Sequence, residues 1–278
     1  MKVHFYKYQA TGNDFVLIDN RSGKYSFSTD QIKTICDRRF GVGADGLMLI
    51  ENHPSANFNL QYFNSDGSQS LCGNGSRAAV NMAASLGIVN GKASFEAYDG
   101  LHDAEIQKGG IVRLKMNDIA EVRKRGDDYF INTGSPHIIR FVSDVRTYPV
   151  FEEGKKIRYN DAFKPDGGTN VNFVEIQHGN TIFVRTYERG VENETLSCGT
   201  GVTAAAIASS YHQLRSPVSV KTLGGDLKVE FKSSQSGGPA GQAGLPAGAS
   251  PARWQAGMFE EIYLIGPAKL VFEGDLEL

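Results

Sequence analysis

Hydrophobic and polar residues alternate over short stretches along most of the chain, with the period of two that is typical of β-strands buried on one face. Turn-forming residues separate these stretches. The predicted strands cover residues 3–8, 15–19, 47–51, 58–64, 93–98, 111–116, 173–177, 181–187, 218–222, 227–231 and 259–265. The pattern therefore predicts a protein built mainly from β-sheet.

Helical periodicity is clearest in residues 29–38, where Ile32, Ile35 and Cys36 recur on one face. We expect Thr29 to be the N-cap of this helix, because its hydroxyl can accept a hydrogen bond from the first turn. An apolar helix face at this spacing packs into a core. We therefore expect Cys36 to be a core residue.

A near-repeat links the two halves of the chain. Residues 72–79 read CGNGSRAA, and residues 198–205 read CGTGVTAA. Each copy follows a strand and a polar loop and runs into a predicted helix, at residues 78–86 and 202–208. Both helices are apolar on nearly every side, which is typical of helices enclosed by other elements. We expect an α+β fold of two pseudo-symmetric domains, each a curved sheet or barrel wrapped around a central helix.

Residues 233–257 differ in composition from the rest of the chain, because they are mostly Gly, Ala, Ser, Pro and Gln. Such a segment cannot bury enough apolar surface to order itself as a core element. We expect a flexible insertion between two strands, with Trp254 as its candidate anchor.

The charge balance excludes several classes of partner. The 278 residues include 29 Lys and Arg against 31 Asp and Glu, which gives a net charge of −2 and a pI near 6.3. This balance disfavours nucleic acid and anionic membranes. No apolar run approaches the roughly 18 residues of a membrane span, and the start of the chain shows no secretory signal pattern. Three cysteines do not form a disulfide framework, so we expect a cytoplasmic protein.

Cys72 and Cys198 each stand immediately before a glycine-rich turn that opens a helix. The unpaired N–H groups and the positive dipole end at such a position favour an anion, either a thiolate or a substrate carboxylate. The backbone groups that could hold the carboxylate belong to Gly73, Asn74, Gly199 and Thr200. If the two halves face each other, one thiolate can remove a proton from a carbon next to a carboxylate while the opposite thiol returns one. The repeat thus favours two-base stereoinversion.

Other chemistries have weaker support. Neither Cys72 nor Cys198 belongs to a Cys-x-x-Cys redox motif. Only His137 stands out among the six histidines, and no metal-ligand spacing is present. The GVGADG motif at residues 41–46 matches a dinucleotide-binding pattern, but it follows a helix where that motif requires a strand. We therefore expect no metal and no cofactor.

Several short motifs occur in the order and spacing of a known family. They are TGNDF at 11–15, RFGVGAD at 39–45, NSDGS at 64–68, CGNGSR at 72–77, GSPH at 134–137, TNVNF at 169–173, ERG at 188–190 and CGTG at 198–201. In these motifs the chain resembles the diaminopimelate epimerase family, cofactor-independent enzymes of the bacterial lysine and peptidoglycan pathway. The resemblance covers nearly the whole chain except residues 233–257.

The resemblance implies interconversion of LL- and meso-diaminopimelate, a small diamino dicarboxylic acid, without pyridoxal phosphate or metal. By position, the two acid–base residues would be Cys72 and Cys198. The polar groups beside the reacting centre would be His137 and Glu188, of which Glu188 also binds substrate. The backbone that holds the reacting carboxylate would be that of Gly73, Asn74, Gly199 and Thr200. The rest of the substrate would be recognised by Asn13, Asn64, Asn170 and Arg189.

The resemblance also implies a homodimer, and a last strand that returns to the first domain. We therefore assign residues 1–118 and 267–278 to an N-terminal domain and residues 119–266 to a C-terminal domain. The active site is expected in the cleft between the two domains.

Two positions depart from the family pattern. Many members carry Asn where Ser135 stands and some carry Gln where Gly46 stands, which puts recognition of the distal end of the substrate in doubt. Two alternatives stay open: a proline or hydroxyproline racemase with a similar cysteine pair, and a non-catalytic amino-acid-binding protein. The Glu188–Arg189 pair favours the diamino diacid over proline. The presence of both cysteines favours an enzyme.

Overall fold

The computed structural model describes residues 1–233 and 258–278, except that only the backbone is described for residues 165–166. It also describes the backbone of residues 254–255. The insertion predicted at residues 233–257 lies outside the described residues apart from Ser233 and that short backbone stretch. The side chain of Trp254, its candidate anchor, also lies outside them. The chain forms two units, Met1–Lys115 with Ile265–Leu278, and Met116–Leu264.

Strands dominate both units, and few helices interrupt them. The elements in chain order are β1 (Lys2–Ala10), β2 (Asn13–Asp19), α1 (Thr29–Cys36), β3 (Gly46–Glu51), β4 (Phe58–Asn64), α2 (Gly73–Ser85), β5 (Lys92–Ala97), β6 (Gly100–Gln107), β7 (Ile111–Lys115), β8 (Val122–Arg125), β9 (Asp128–Asn132), β10 (Pro136–Phe141), α3 (Val150–Arg158), β11 (Asn170–Gln177), β12 (Thr181–Glu188), β13 (Asn193–Thr195), α4 (Gly199–Ser209), β14 (Val218–Thr222), β15 (Gly225–Ser233), β16 (Trp254–Gln255), β17 (Phe259–Pro267) and β18 (Lys269–Glu277). Two short 3₁₀-helices follow α3 and α4, at Asp161–Asp166 and Ser210–His212.

The sheet of the first unit runs in the order β18–β1–β2–β3–β4–β5–β6–β7. Two of its pairings are parallel, β2 with β3 and β4 with β5, and the others are antiparallel. Parallel neighbours need a crossover connection. Helix α1 lies in the first crossover and α2 in the second.

Helix α2 is the centre of the first unit. It contacts β1, β2, β3, β4, β6, β7 and β18, which are strands from both ends of the sheet, so the sheet curves around it. Its buried residues include Ala78, Ala79 and Ala83, whose small side chains allow strands to approach on every side. The other face of β2 and β3 is covered as well, because Val16, Ile18 and other residues pack into a cluster with Ile32, Ile35 and Cys36 of α1.

The N-cap of helix α1 lies one residue before the predicted position. The N-cap is Ser28, not the predicted Thr29. The Ser28 hydroxyl accepts a hydrogen bond from the N–H of Gln31 at 3.3 Å, and the Gln31 side chain accepts one from the N–H of Ser28 at 2.9 Å. This reciprocal capping box satisfies two N–H groups, whereas Thr29 lies inside the helix. Cys36 is buried, as predicted.

The second unit repeats the same succession of elements. Its strands pair in the order β16–β8–β9–β10–β11–β12–β14–β15–β17, with β13 also on β12. The parallel pairings are again two, β10 with β11 across α3 and β12 with β14 across α4. Helix α4 contacts β9, β10, β11, β12, β14 and β15, and its residues are buried except Thr200. The predicted α+β fold, with a curved sheet around a central helix in each of two pseudo-symmetric parts, is confirmed.

The alternating pattern located most strands but not all elements. The structure adds β6, β8, β9, β10, β13, β16 and helix α3, and also β18, which only the family resemblance had indicated. Helix α3 packs on β11 and β12. No helix among the described residues is long and apolar enough to cross a membrane.

Candidate functional site

Cys72 is the N-cap residue of helix α2. Its backbone is extended, with φ −131° and ψ 107°, and its sulfur accepts a hydrogen bond from the N–H of Gly75 at 3.4 Å. The first N–H groups of a helix have no acceptor within the helix. The half-buried Cys72 thiol and these donors, which include those of Gly73 and Asn74, therefore occupy the same end of α2.

Asn13 and Asn74, two predicted substrate-binding residues, are hydrogen-bonded to each other. The Asn74 amide donates to Oδ1 of Asn13 at 2.5 Å, and Asn13 donates to a carboxylate oxygen of Asp45 at 2.8 Å. The guanidinium of Arg77 donates to Oδ1 of Asn74 at 2.9 Å and to the hydroxyl of Thr11 at 3.1 Å. Sequence reasoning did not single out Arg77, although it is the one charged residue in the sequence of α2.

Asn64 ends strand β4 and holds the turn that leads to Cys72. Its side chain donates to the hydroxyls of Ser68 at 3.0 Å and Ser70 at 3.2 Å. Asn64 lies opposite Gly46 in the antiparallel register of β3 and β4. A Cβ at Gly46 would lie 2.4 Å from a ring carbon of Tyr62. It would also lie 2.5 Å from the carbonyl oxygen of Phe63, so a larger residue at position 46 would need both Tyr62 and the backbone of β4 to move.

Cys198 is the N-cap residue of helix α4, in nearly the same conformation as Cys72, with φ −121° and ψ 113°. Its side chain is 8% exposed, and its sulfur lies 3.4 Å from the hydroxyl of Thr200. The repeated sequence motif thus has a repeated structure, in which a cysteine caps a buried helix in each unit.

His137 is buried beside the N-terminus of α4. Its Nε2 lies 2.9 Å from the hydroxyl of Thr200 and 3.0 Å from the hydroxyl of Ser135. Burial, reinforced by the positive charge of Arg189, lowers the pKa of His137 to about 3. The imidazole is therefore neutral near pH 7. A chain of polar contacts joins it through Thr200 to the sulfur of Cys198.

Asn172 is a second residue that sequence reasoning did not single out. It is fully buried on β11, and its side-chain nitrogen lies 3.1 Å from Nδ1 of His137 and 3.1 Å from the carbonyl oxygen of Ile138. Its side-chain oxygen accepts a hydrogen bond from Thr186 at 2.9 Å. Since strand residues two apart share a face, the predicted site residue Asn170 already pointed to Asn172.

Asn170 connects the Ser135 turn to the loop after β12. Its side chain donates to the Ser135 hydroxyl at 3.1 Å and accepts from the N–H of Arg189 at 2.8 Å. The Arg189 guanidinium donates to the carbonyl of Gly168 at 3.4 Å. Ser135, His137, Asn170, Thr200 and Cys198 thus belong to one hydrogen-bonded group.

Glu188 is the last residue of β12, and its carboxylate accepts a hydrogen bond from the hydroxyl of Thr195 on β13 at 2.9 Å. Its neighbour in sequence is Arg189, so a negative and a positive side chain follow each other at the end of this strand. In the first unit the corresponding strand, β4, ends at the neutral Asn64.

The second glycine of each Cys-Gly-x-Gly turn lies where no side chain fits. A Cβ at Gly75 would lie 1.9 Å from the terminal methyl carbon of Met48, and a Cβ at Gly201 would lie 2.3 Å from Oδ1 of Asn172. Both distances are far below van der Waals contact. The glycines therefore let each helix N-terminus approach the neighbouring strand closely, which explains why this glycine is present in both turns.

Cofactor and metal binding have few candidate groups here. Among residues 1–233 and 258–278, no group of three or more His, Cys, Asp and Glu side chains is arranged to hold a metal ion. The three cysteines carry thiols. Burial raises the pKa of the third, Cys36, to about 11, which suits a core residue.

Comparison with known proteins gives consistent results. A family model described as diaminopimelate epimerase matches residues 5–120 and 129–241. A diaminopimelate epimerase of Flavobacterium psychrophilum is 43% identical over 272 residues, covering 96% of this chain and 98% of the relative. One from Chlorobaculum tepidum is 40% identical over 275 residues, covering 96% of this chain and 98% of the relative.

Solved structures of similar fold are more distant in sequence. A PhzF-family phenazine biosynthesis protein of Bacillus anthracis superposes with a TM-score of 0.70 at 13% identity, covering 100% of both chains. A probable proline racemase of Agrobacterium radiobacter superposes with a TM-score of 0.68 at 13% identity, covering 99% of this chain and 93% of the other. At this identity the similarity concerns the fold.

Proposed function

Since the chain belongs to the diaminopimelate epimerase family, an isomerase family, we propose that it interconverts LL- and meso-diaminopimelate with Cys72 and Cys198 as its acid–base pair. Membership of the family establishes an epimerase that acts on a small amino acid. The assignment of the two cysteines and of the groups around them is the proposal.

The observation that carries this proposal is the equivalence of the two cysteines. Each is the N-cap of the central helix of its unit, each has an extended backbone, and each is followed by Gly-x-Gly. Helix N-termini stabilise a thiolate and a bound carboxylate alike. Packing alone gives no reason for a cysteine to occupy the same position twice.

The proposed reaction exchanges one proton for another at the α-carbon. The thiolate of one cysteine takes the α-proton, and the electron pair of the broken C–H bond is delocalised into the α-carboxylate. The N–H groups of Gly73, Asn74, Gly199 and Thr200 stabilise the charge on those oxygens. The thiol of the other cysteine then delivers its proton to the opposite face of the carbon. One thiolate and one thiol remain, with their places exchanged.

The other site residues bind the rest of the substrate in this proposal. The Glu188 carboxylate pairs with the α-ammonium group, and neutral His137 positions the Thr200 hydroxyl beside Cys198. Arg189 pairs with the distal carboxylate, since a guanidinium binds a carboxylate through two parallel hydrogen bonds. The remaining distal contacts are assigned to the amides Asn13, Asn64 and Asn170. Ser135, which is hydrogen-bonded to Asn170, would reach the distal end directly or through a water.

Two further assignments extend the proposal beyond the site. We place the enzyme in the cytoplasm, which the three thiols support. We also propose a homodimer. Three consecutive apolar residues of β18, Leu270, Val271 and Phe272, are 48%, 57% and 47% exposed, which is typical of a contact surface. Sedimentation of the protein and of its Val271→Glu variant tests this, and a monomeric parent protein would contradict it.

Proton NMR in deuterated water tests the proposed reaction. The reduced protein is mixed with LL-diaminopimelate, and proline serves as the parallel substrate. Deuterium incorporation at the α-carbon together with accumulation of the meso isomer is the expected result. Exchange with proline alone would replace the proposal by a proline racemase. Absence of exchange with both compounds would indicate a binding protein.

A further inference from the structure

Arg77 is a cation enclosed in the first unit. It is the largest fully buried side chain of the described residues, and it lies on α2 one turn after Gly73. Its guanidinium donates to the carbonyl of Gly73 at 3.4 Å, to Oδ1 of Asn74 and to the hydroxyl of Thr11. All three acceptors are neutral. The Nε atom is buried without a hydrogen-bond partner in the described part of the chain.

A buried cation is costly unless an anion lies near it. Among the described residues no salt bridge joins Arg77 to a carboxylate, and Asp45 is connected to it only through the amides of Asn13 and Asn74. Other carboxylates of the first unit pair with other cations. These pairs are Lys7 with Asp14, Arg38 with Asp14 and Asp45, Arg21 with Asp19, His102 with Asp99, Arg113 with Glu105, and Lys2 with Asp275. Glu51 of β3 is hydrogen-bonded to the amides of Asn20, Asn59 and Gln61.

The remaining group near Arg77 that can carry a negative charge is the thiol of Cys72, which caps the same helix end at which Arg77 contacts the carbonyl of Gly73. Burial lowers the pKa of Arg77 to about 10, and the negative charge of Cys72 acts in the opposite direction by favouring the charged guanidinium. Arg77 therefore stays protonated near neutral pH. Because electrostatic coupling is mutual, a cation stabilised by the Cys72 thiolate must stabilise that thiolate equally.

The second unit has a neutral residue at the corresponding position. In the two repeats, CGNGSR and CGTGVT, Arg77 corresponds to Thr203. Thr203 is also fully buried, and its hydroxyl donates to the carbonyl of Gly199 at 3.0 Å, as Arg77 donates to the carbonyl of Gly73. Nearby His137 is neutral, and the charged pair Glu188 and Arg189 carries opposite signs. The two helices with cysteine N-caps thus match in backbone conformation. They differ by one buried positive charge and by the hydrogen bond that the Cys72 sulfur accepts from the N–H of Gly75, which has no counterpart at Cys198.

We propose that Arg77 makes Cys72 the thiolate of the resting enzyme, while Cys198 rests as the thiol. This inference rests on the proposed acid–base role of the two cysteines and adds which of them is the base in the resting enzyme. Arg77 is a positioning residue that acts through Cys72. The resting enzyme then accepts the isomer whose α-proton faces Cys72, and Cys198 supplies the proton to the other face. At the end of that half-reaction Cys72 is the thiol and Cys198 the thiolate.

Residue-resolved alkylation tests the inference without any substrate. The complete, reduced protein is treated with iodoacetamide over a pH series, and the rate at each cysteine is read by peptide mass spectrometry. Only a thiolate reacts at an appreciable rate, so the pH midpoint at each cysteine reports its ionisation independently of access. The expected result is a lower midpoint for Cys72 than for Cys198. The reverse order in the wild-type protein would overturn the inference.

Two variants separate charge from packing. Arg77→Gln removes the cation, and at neutral pH it should slow alkylation of Cys72 about tenfold, equivalent to about one pH unit in the midpoint, while Cys198 is unchanged. Arg77→Lys keeps a cation and should retain the wild-type order. An unchanged Cys72 midpoint in Arg77→Gln contradicts the role of Arg77. Should that variant not fold, the wild-type order still decides which cysteine is the thiolate.

This test is independent of the proposed reaction. If the protein shows the expected alkylation order but exchanges no α-proton, the assignment of the resting thiolate stands and the proposed epimerase reaction fails. If the protein epimerises diaminopimelate but shows the reverse alkylation order, the proposed reaction stands and the role assigned to Arg77 fails.

Discussion

The side-chain amide of Asn172 fixes the proton position of His137. One hydrogen of its nitrogen goes to the carbonyl oxygen of Ile138, which can only accept, so the amide orientation is determined. The other hydrogen then goes to Nδ1 of His137, 3.1 Å away. Nδ1 must therefore be unprotonated, and the proton of the neutral ring lies on Nε2, facing Thr200 and Ser135.

Asn172→Asp should reverse this arrangement. An aspartate has the same shape but cannot donate, so Nδ1 of His137 would become the protonated nitrogen and Nε2 would become an acceptor. The Thr200 hydroxyl would then donate to Nε2 and could no longer donate to the sulfur of Cys198. We expect kcat to fall about tenfold, the effect of one hydrogen bond. Nitrogen-15 NMR of the histidine ring provides the direct measurement.

The matched control for Asn172→Asp is Asn81→Asp on α2, where the amide also donates to a backbone carbonyl, that of Gly110 at 3.2 Å. This variant should keep its kcat. A wild-type spectrum with a protonated Nδ1 on His137 would refute the assigned proton position.

The buried His137 should make the protein less stable in acid. Its pKa is about 3 when folded against an ordinary value of 6.5, so in this window the unfolded chain binds the proton more readily than the folded one. Stability is therefore fully present above pH 6.5 and is lost as pH falls towards 3, by about 1.4 kcal/mol per pH unit. Urea unfolding at neutral pH and midway through the window measures this loss. A His137→Gln variant should show a smaller loss, and equal losses would contradict the prediction.

Replacement of either cap cysteine by alanine should abolish most of the activity. General acid–base groups contribute about a hundred- to ten-thousand-fold to rate, so Cys72→Ala and Cys198→Ala should each lower kcat by that amount. Cys36→Ala is the matched control, since Cys36 lies in a core cluster and should cost roughly 1 kcal/mol of stability with kcat unchanged. Wild-type rates of epimerisation in Cys72→Ala would exclude the two-thiol mechanism.

Alanine at the two close-packed glycines should have unequal effects. In Gly75→Ala the new Cβ meets the terminal methyl of Met48, which can rotate away, whereas in Gly201→Ala it meets Asn172, which three hydrogen bonds hold in place. We expect Gly201→Ala to lower the free energy of unfolding by about 1–3 kcal/mol, with a smaller loss for Gly75→Ala. Chemical denaturation compares them, and equal losses would show that Asn172 is free to move.

The pattern of the sequence predicted strands buried on one face, such as β4, and one buried at consecutive residues, β3, but it missed several other elements. Strand β10 begins at a proline and is buried at consecutive residues, so it shows no alternation. Helix α3 contains Gly154, which is unfavourable in a helix. The structure supplies the reason for this glycine, because a Cβ there would lie 2.4 Å from Cβ of Tyr187.

The first residues of the two central helices were also not predicted correctly from the apolar pattern. The apolar pattern placed the central helices at residues 78–86 and 202–208, but they begin at Gly73 and Gly199. Glycine-rich turns have low helix propensity, and here close contacts to neighbouring strands hold both turns in helical form. At Cys72 the sulfur also accepts a capping hydrogen bond from Gly75.

Only the residues of the candidate site that belong to recognisable sequence motifs could be predicted. The repeat of Cys72 and Cys198 and the flanking polar residues are visible in sequence. The buried position of Arg77 is not visible, since a charged residue on a helix ordinarily lies on its surface. The clue was the single charge in an otherwise uncharged helix that had to be enclosed. Asn172 required the strand register before its proximity to His137 could be known.

The strands β1 and β18, which are farthest apart in the sequence, pair in one sheet. Lys2 of β1 pairs with Glu277 of β18, and the N–H of Leu278 donates to the carbonyl of Met1 at 3.0 Å. During synthesis, the sheet of the first unit is therefore complete only after β18 has left the ribosome, although its other strands emerge earlier. The second unit, Met116–Leu264, is fully synthesised before that point. A ribosome-bound chain that lacks β18 would thus leave β1 without one of its two partner strands, and the unit that carries Cys72 would be the last to be finished.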